Sequence, residues 1–184
     1  MSRIAVYIDG GYLDYALRHE FNMARIDYNQ LAGFMADGIE ILRTYYYHCL
    51  PYQGDPPTTE ESQRIASMQS FLASLERLPR FQVRLGKLAH RGVRDDGSPI
   101  LEQKRVDIQL GVDLVQLSAK QQITHAALLT GDSDFLPAVH VAKAEGVMVK
   151  LVHCKGSPPH RELWSECDER IVLGQEAIDG MLRS

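Results

Sequence analysis

At 184 residues, with 45% hydrophobic and 24% charged residues, the chain fits one domain with a sizeable core and has neither a disordered nor a membrane-embedded composition. A formal net charge of −4 excludes a generally basic nucleic-acid coat, and no apolar run reaches the length of a membrane-spanning helix. Three cysteines, Cys49, Cys154 and Cys167, lack any C-x-x-C spacing, so neither a disulfide framework nor an ordinary zinc site is indicated; His153 and His160, near two of them, read as packing.

Met1-Ser2-Arg3-Ile4 passes directly into a strand-like run, which predicts no leader segment and a cytoplasmic protein. Ile4 to Ile8 is continuous and β-branched, as in a strand buried on both faces of a parallel sheet. It ends at Asp9-Gly10-Gly11, after which Leu13, Ala16 and Leu17 keep helical spacing. Asp27 predicts the cap of a second helix that Gly38 ends, and Ile39 to Leu50, with Tyr45-Tyr46-Tyr47, predicts the second strand. Residues 51–59 form a Gly/Pro-rich loop, followed by a long helix capped by Thr58 or Thr59, striped by Ile65, Met68, Phe71, Leu72 and Leu75, and closed by Pro79.

A β-hairpin excursion is predicted around 81–104: Phe81, Val83 and Leu85 alternate with polar residues, Gly86 suggests a bulge aiming Arg84 and Lys87 outward, and Asp95-Asp96-Gly97-Ser98 makes the turn. Val106 to Ala119 reads as a helix apolar on most of its circumference, through Leu110, Leu114 and Leu117 with Ile108, Val112 and Val115 beside them, and therefore largely buried. The strand Ala126 to Leu129, a helix from Ser133 to Ala144 and the strand Val147 to Val152 complete a β-α-β unit. A short helix after Ser157-Pro158-Pro159, a strand at Ile171 to Leu173 and a terminal helix finish the chain. The aromatic strand near Tyr45 and the terminal helix offer surfaces for a homo-oligomer.

The candidate chemistry is carried by aspartates. Asp9 ends the first strand, where open α/β sheets bind ligands. Asp132 and Asp134 stand between a strand and a helix; one of them suffices as a cap, leaving the second in excess. Asp113 lies in the apolar helix, where a buried carboxylate needs a partner, a proton or a cation. Asp107, six residues earlier, lies about 240° away around an ideal helix, so the two converge only if the first turn is irregular. Gathered together, Asp9, Asp107, Asp113, Asp132 and Asp134 would need a cation, and oxygen-only ligands select Mg²⁺ or Mn²⁺. Such ions support phosphodiester hydrolysis, and the run containing Arg84, Lys87 and Arg91, with Lys104, would attract the polyanion.

Tyr7-Ile8-Asp9-Gly10-Gly11-Tyr12-Leu13, Lys104-Arg105-Val106-Asp107-Ile108 with Asp113-Leu114, and Thr130-Gly131-Asp132-Ser133-Asp134-Phe135 together resemble the NYN domain, in its LabA-like bacterial branch, within the PIN-like ribonuclease superfamily. The resemblance runs through Asp168-Glu169-Arg170-Ile171 and so spans 1–184 as a single domain. It implies an α/β, three-layer PIN-like or Rossmannoid fold, a central mostly parallel sheet with helices on both faces. It also implies Mg²⁺- or Mn²⁺-dependent cleavage of RNA, in single-stranded form, with Asp9, Asp113, Asp132 and Asp134 catalytic and Asp107 a further ligand. Thr130 and Ser133 would orient the carboxylates. Many relatives place an asparagine where this chain has Tyr12.

Two other classes compete. A regulatory module would keep the fold and bind nucleic acid or protein without catalysis. A haloacid-dehalogenase-like phosphatase would share Gly131-Asp132-Ser133-Asp134, but Gly11 stands where its general acid belongs. No P-loop and no G-x-S-x-G nucleophile motif occurs.

Overall fold

A computed structural model describes residues 1–104 and 106–183, with side chains for these other than 87–90, 99 and 101–104. Strand β1 (Arg3–Asp9) lies at the middle of the sheet, because its alternating residues feed two separate cores. Ile4, Val6 and Ile8 face one; Ala5 and Tyr7 face the other. The chain continues through α1 (Gly10–His19) and α2 (Tyr28–Ala36) to β2 (Glu40–Cys49), then through α3 (Thr59–Glu76) to β3 (Phe81–Val93). Strand β4 (Pro99–Lys104) turns back against β3, and α4 (Val106–Ala119) returns the chain to β5 (His125–Leu129) on the other side of β1. A 3-10 turn (Ser133–Phe135), α5 (Leu136–Ala144), β6 (Met148–His153), α6 (Arg161–Glu166), β7 (Glu169–Val172) and α7 (Gln175–Gly180) complete it.

The strand order is β4-β3-β2-β1-β5-β6-β7, and every pairing is parallel except β3 with β4. Leu13, Leu31, Leu72 and Ile178 pack on one face of the sheet, Leu110, Val139 and Leu163 on the other, which makes three layers. The order reverses between β1 and β5. A crevice therefore opens beyond the carboxyl ends of those two strands, where the sequence puts Asp9 and the Thr130 to Asp134 segment.

Local chemistry sets the helix starts. The Asp9 and Asp27 carboxylates accept from backbone amides of the first turns of α1 and α2. Thr58 and Glu61 close a reciprocal capping box on α3.

Several expectations change. The irregularity in the hairpin lies between His90 and Gly92, with Gly92 at φ 137°; Gly86 pairs in register with Cys49. Along α3 only Leu72 and Leu75 are buried, because this helix covers the edge of the sheet. On α4 the second apolar stripe is not buried: Ile108 is 72% and Val112 56% exposed. Tyr45, Tyr46 and Tyr47 are buried because β2 is an interior strand, so they present no surface for self-association. Among the described residues, no helix is long and apolar enough to cross a membrane.

Candidate active site at the sheet switch point

Asp9 is half-buried at the end of β1 and held from two directions. Its Oδ1 accepts from the Tyr12 amide at 3.1 Å, and its Oδ2 accepts from the Thr130 hydroxyl at 2.9 Å. The first bond caps α1; the second ties β1 to the end of β5 across the switch point. Gly10 is required by a close approach: a Cβ there would stand 2.6 Å from His48 Cδ2 and from the Tyr46 hydroxyl oxygen. His48, at the end of β2, is hydrogen-bonded through Nε2 to Asp14 Oδ2 at 2.8 Å.

The third motif is built similarly. Asp132 Oδ1 accepts from the Asp134 amide at 2.9 Å and caps the 3-10 turn, while the Asp132 amide donates to Thr130 Oγ1 at 3.3 Å. Asp132 and Asp134 are both exposed. Ser133 opens the turn, and among the described residues its hydroxyl makes no hydrogen bond to a carboxylate.

Tyr12 takes a different part from an asparagine. Its hydroxyl donates to the Ser157 carbonyl at 2.6 Å and accepts from the Cys154 amide at 2.9 Å. Its ring covers Gly131, where a Cβ would come within 3.0 Å of Cε2. Glu20, also following α1, accepts from the Gly156 amide and the Ser157 hydroxyl at 2.7 and 2.6 Å. These bonds clamp the segment after β6 onto α1 along one wall of the crevice.

The two aspartates of α4 part company. Asp107, in the first turn, has its carboxyl pushed up, first by burial and then by the charges of Asp132, Asp9 and Asp134. It therefore belongs to the acidic rim. Asp113 does not, a correction to the sequence reading. Arg84 Nε and Nη2 meet its Oδ2 and Oδ1 at 3.0 and 3.1 Å, and the Tyr47 hydroxyl donates to Oδ2 at 2.9 Å. The guanidinium satisfies the buried carboxylate. Arg84 is likewise removed from the phosphate-facing set: it points onto α4 and over the Tyr45 ring, 5.4 Å from its centroid. Arg91 is exposed on the hairpin, and the side chains of Lys87 and Lys104 lie outside the described residues.

Four carboxylates from three segments thus ring one crevice. Among the described residues, no group of three or more His, Cys, Asp or Glu side chains is gathered closely enough to hold an ion as it stands. The donor set still suits a hard divalent cation. It is all oxygen, and the repulsion raising the Asp107 carboxyl is what a bound cation would relieve. Burial also raises the Asp9 carboxyl, against the bonds from Tyr12, Thr130 and Gly11 and the nearby His48. Burial lowers His48, but the bond and charge of Asp14 outweigh it and leave the imidazole raised.

His48, Asp14 and the Tyr12 clamp were missed in the sequence. Their signal was position: His48 ends a parallel strand beside Asp9, with Tyr47 paired to Asp9 in the β1–β2 register.

This is a three-layer α/β protein of the PIN-like kind, with its acidic crevice at the switch point. The NYN domain family matches residues 3–174, and the chain belongs to that family. Low amplitude and bright protein LabA of Synechococcus elongatus is 26% identical over 174 residues, 94% of this chain and 84% of that protein. A crystal structure of a protein of unknown function from Vibrio parahaemolyticus superposes with a TM-score of 0.67, covering 99% of this chain and 96% of that one. At 18% identity the two share the fold.

Proposed function

We propose that the protein is a metal-dependent ribonuclease in which Asp9, Asp107, Asp132 and Asp134 hold Mg²⁺ or Mn²⁺. The carrying observation is the convergence of these four carboxylates on the switch point, with Asp107 raised first by burial and then by the charges of the other three. Family membership supports the same class of chemistry. Such an ion, when bound, would supply Lewis acidity toward a phosphoryl oxygen and acidify a water.

The chain's own residues do the rest. Thr130 and the Tyr12 amide preset Asp9. The Asp134 carboxylate is exposed and makes no hydrogen bond among the described residues, which suits it to accept the proton of an attacking water. His48, held by Asp14 with its imidazole raised, stands beside Asp9 and in its protonated form would favour an anionic substrate there. Arg91 on the hairpin, with Lys87 and Lys104 in the same segment, would attract the RNA backbone.

The test is cleavage of end-labelled single-stranded RNA with Mn²⁺, alongside thermal unfolding with and without the cation. The wild type should cleave and be stabilised, and Asp132→Asn should do neither. Absence of both effects in the wild type overturns the reading.

A further inference from the structure

The exposed stripe of α4 does not face open solvent alone. With α5 it forms a cleft of about 830 Å³ lined by Ile108, Gly111, Val112, Val115, Pro137 and Val141, with Asp107 and Asp134 also on its wall. The first turn of α4 and the 3-10 turn that leads into α5 meet at the crevice, where Asp107 and Asp134 share one wall. From Asp107 to Gln116, also on the wall, the cleft follows α4 over ten residues, a rise of about 13 Å. Gly111 and Ala138 keep the floor shallow-sided and smooth: a Cβ on Gly111 would stand 3.7 Å from that of Ala138.

We propose that this cleft receives an unstacked base of a single-stranded polynucleotide, next to the phosphate engaged by the acidic rim. The inference rests on the nuclease reading. Its first support is continuity, because Asp107 and Asp134 belong both to the rim and to the cleft wall. Its second is chemistry. Among the described residues no basic side chain lines the cleft and two carboxylates stand on its wall, which disfavours backbone phosphates there except where a cation bridges them. The part of a polynucleotide that suits aliphatic walls is the flat face of a base. Such walls give little base identity, since every base offers an apolar face, but they require a base free of its helix. An apolar cleft beside the reacting centre is also where binding of a non-reacting group can position the bond to be broken.

The experiment compares single-stranded RNA with the same oligonucleotide carrying an abasic ribose at the cleavage position, in the full chain with Mn²⁺. For the wild type, removing the base should raise KM about ten-fold, the scale of discrimination an apolar pocket provides. Gly111→Leu, which fills the crease, should raise KM for intact RNA about as much and erase the difference between the substrates. Ile108→Ser removes an exposed wall residue that the fold does not need, and should narrow the difference if Gly111→Leu fails to fold. If wild type cleaves both oligonucleotides with equal KM, or the variants keep the full difference, the cleft proposal falls while the nuclease stands. If wild type cleaves neither, both fall together. A wild-type dimer by light scattering that Ile108→Ser converts to monomer would assign the cleft to self-association and overturn the proposal.

Discussion

Asp107 and Asp113 lie on one helix, six residues apart, and meet opposite electrostatic fates. Asp113 is buried and has its cation built in, gripped at both oxygens by Arg84 and by the Tyr47 hydroxyl. Asp107 is exposed and has three like charges for neighbours. The same residue type is thus neutralised within the fold at the middle of α4 and left needing an external cation at its first turn. The buried pair also fixes the roll of α4 against the sheet, and a helix whose roll is fixed aims its first turn.

Breaking the buried side should give the largest effect. Arg84→Ala leaves Asp113 buried without its cation, and denaturant unfolding should show a loss of about 3 to 5 kcal/mol. Arg84→Ala combined with Asp113→Ala should recover part of it, since no stranded charge remains; an additive double variant would show that the pair is not coupled. Breaking the rim should cost activity and not stability. Asp9→Asn keeps the cap and the Thr130 contact in shape but weakens the cation site, so Mn²⁺-dependent cleavage should fall about a hundred-fold, with the midpoint of unfolding unchanged or higher. A smaller effect belongs to Tyr47→Phe, which removes one bond to the Asp113 carboxylate and should cost about 2 kcal/mol by the same unfolding measurement.

The fold was legible because its signals are local and repeated. The apolar run Ile4 to Ile8, the glycines after Asp9, the cap at Asp27 and the helix from Val106 to Ala119 all fall where the spacing predicts. The places of Asp9, Asp132 and Asp134 beyond the ends of β1 and β5 were legible for the same reason, since strand ends in a doubly wound sheet face the crevice. What escaped was partnership. Arg84 and Asp113 are 29 residues apart and meet only because β3 lies under α4, so a run of basic residues read as one face is in fact divided between a buried pair and an exposed hairpin. The exposed stripe of α4 escaped because periodicity reports which residues are apolar and not whether a neighbouring helix covers them; α5 packs beside α4 and leaves Ile108 and Val112 exposed. Tyr12, read as a missing asparagine, acquires its role only from Ser157 and Cys154 at the far end of the chain.

The smallest predicted effect is the most discriminating, because its sign differs between the two aspartates. The Asp107 carboxyl is raised in the folded state, so the native protein binds a proton there more tightly than the unfolded chain. Its destabilising contribution is absent below the unfolded carboxylate range, grows as pH rises through the raised value, and is fully present at neutral pH. Asp107→Asn removes that contribution. Its unfolding midpoint at pH 7 should exceed that of wild type by about 2 °C, kept small by solvent screening of an exposed group, and the two curves should converge in acid. Mn²⁺ should raise the wild-type midpoint and narrow the gap from the other direction, since a ligand binding only the folded state stabilises it. Asp113→Asn should move the opposite way at pH 7, because it removes the charge that Arg84 needs. Two destabilised variants would mean that Asp107 is not crowded by Asp9, Asp132 and Asp134, and the acidic rim would lose its reason for taking a cation.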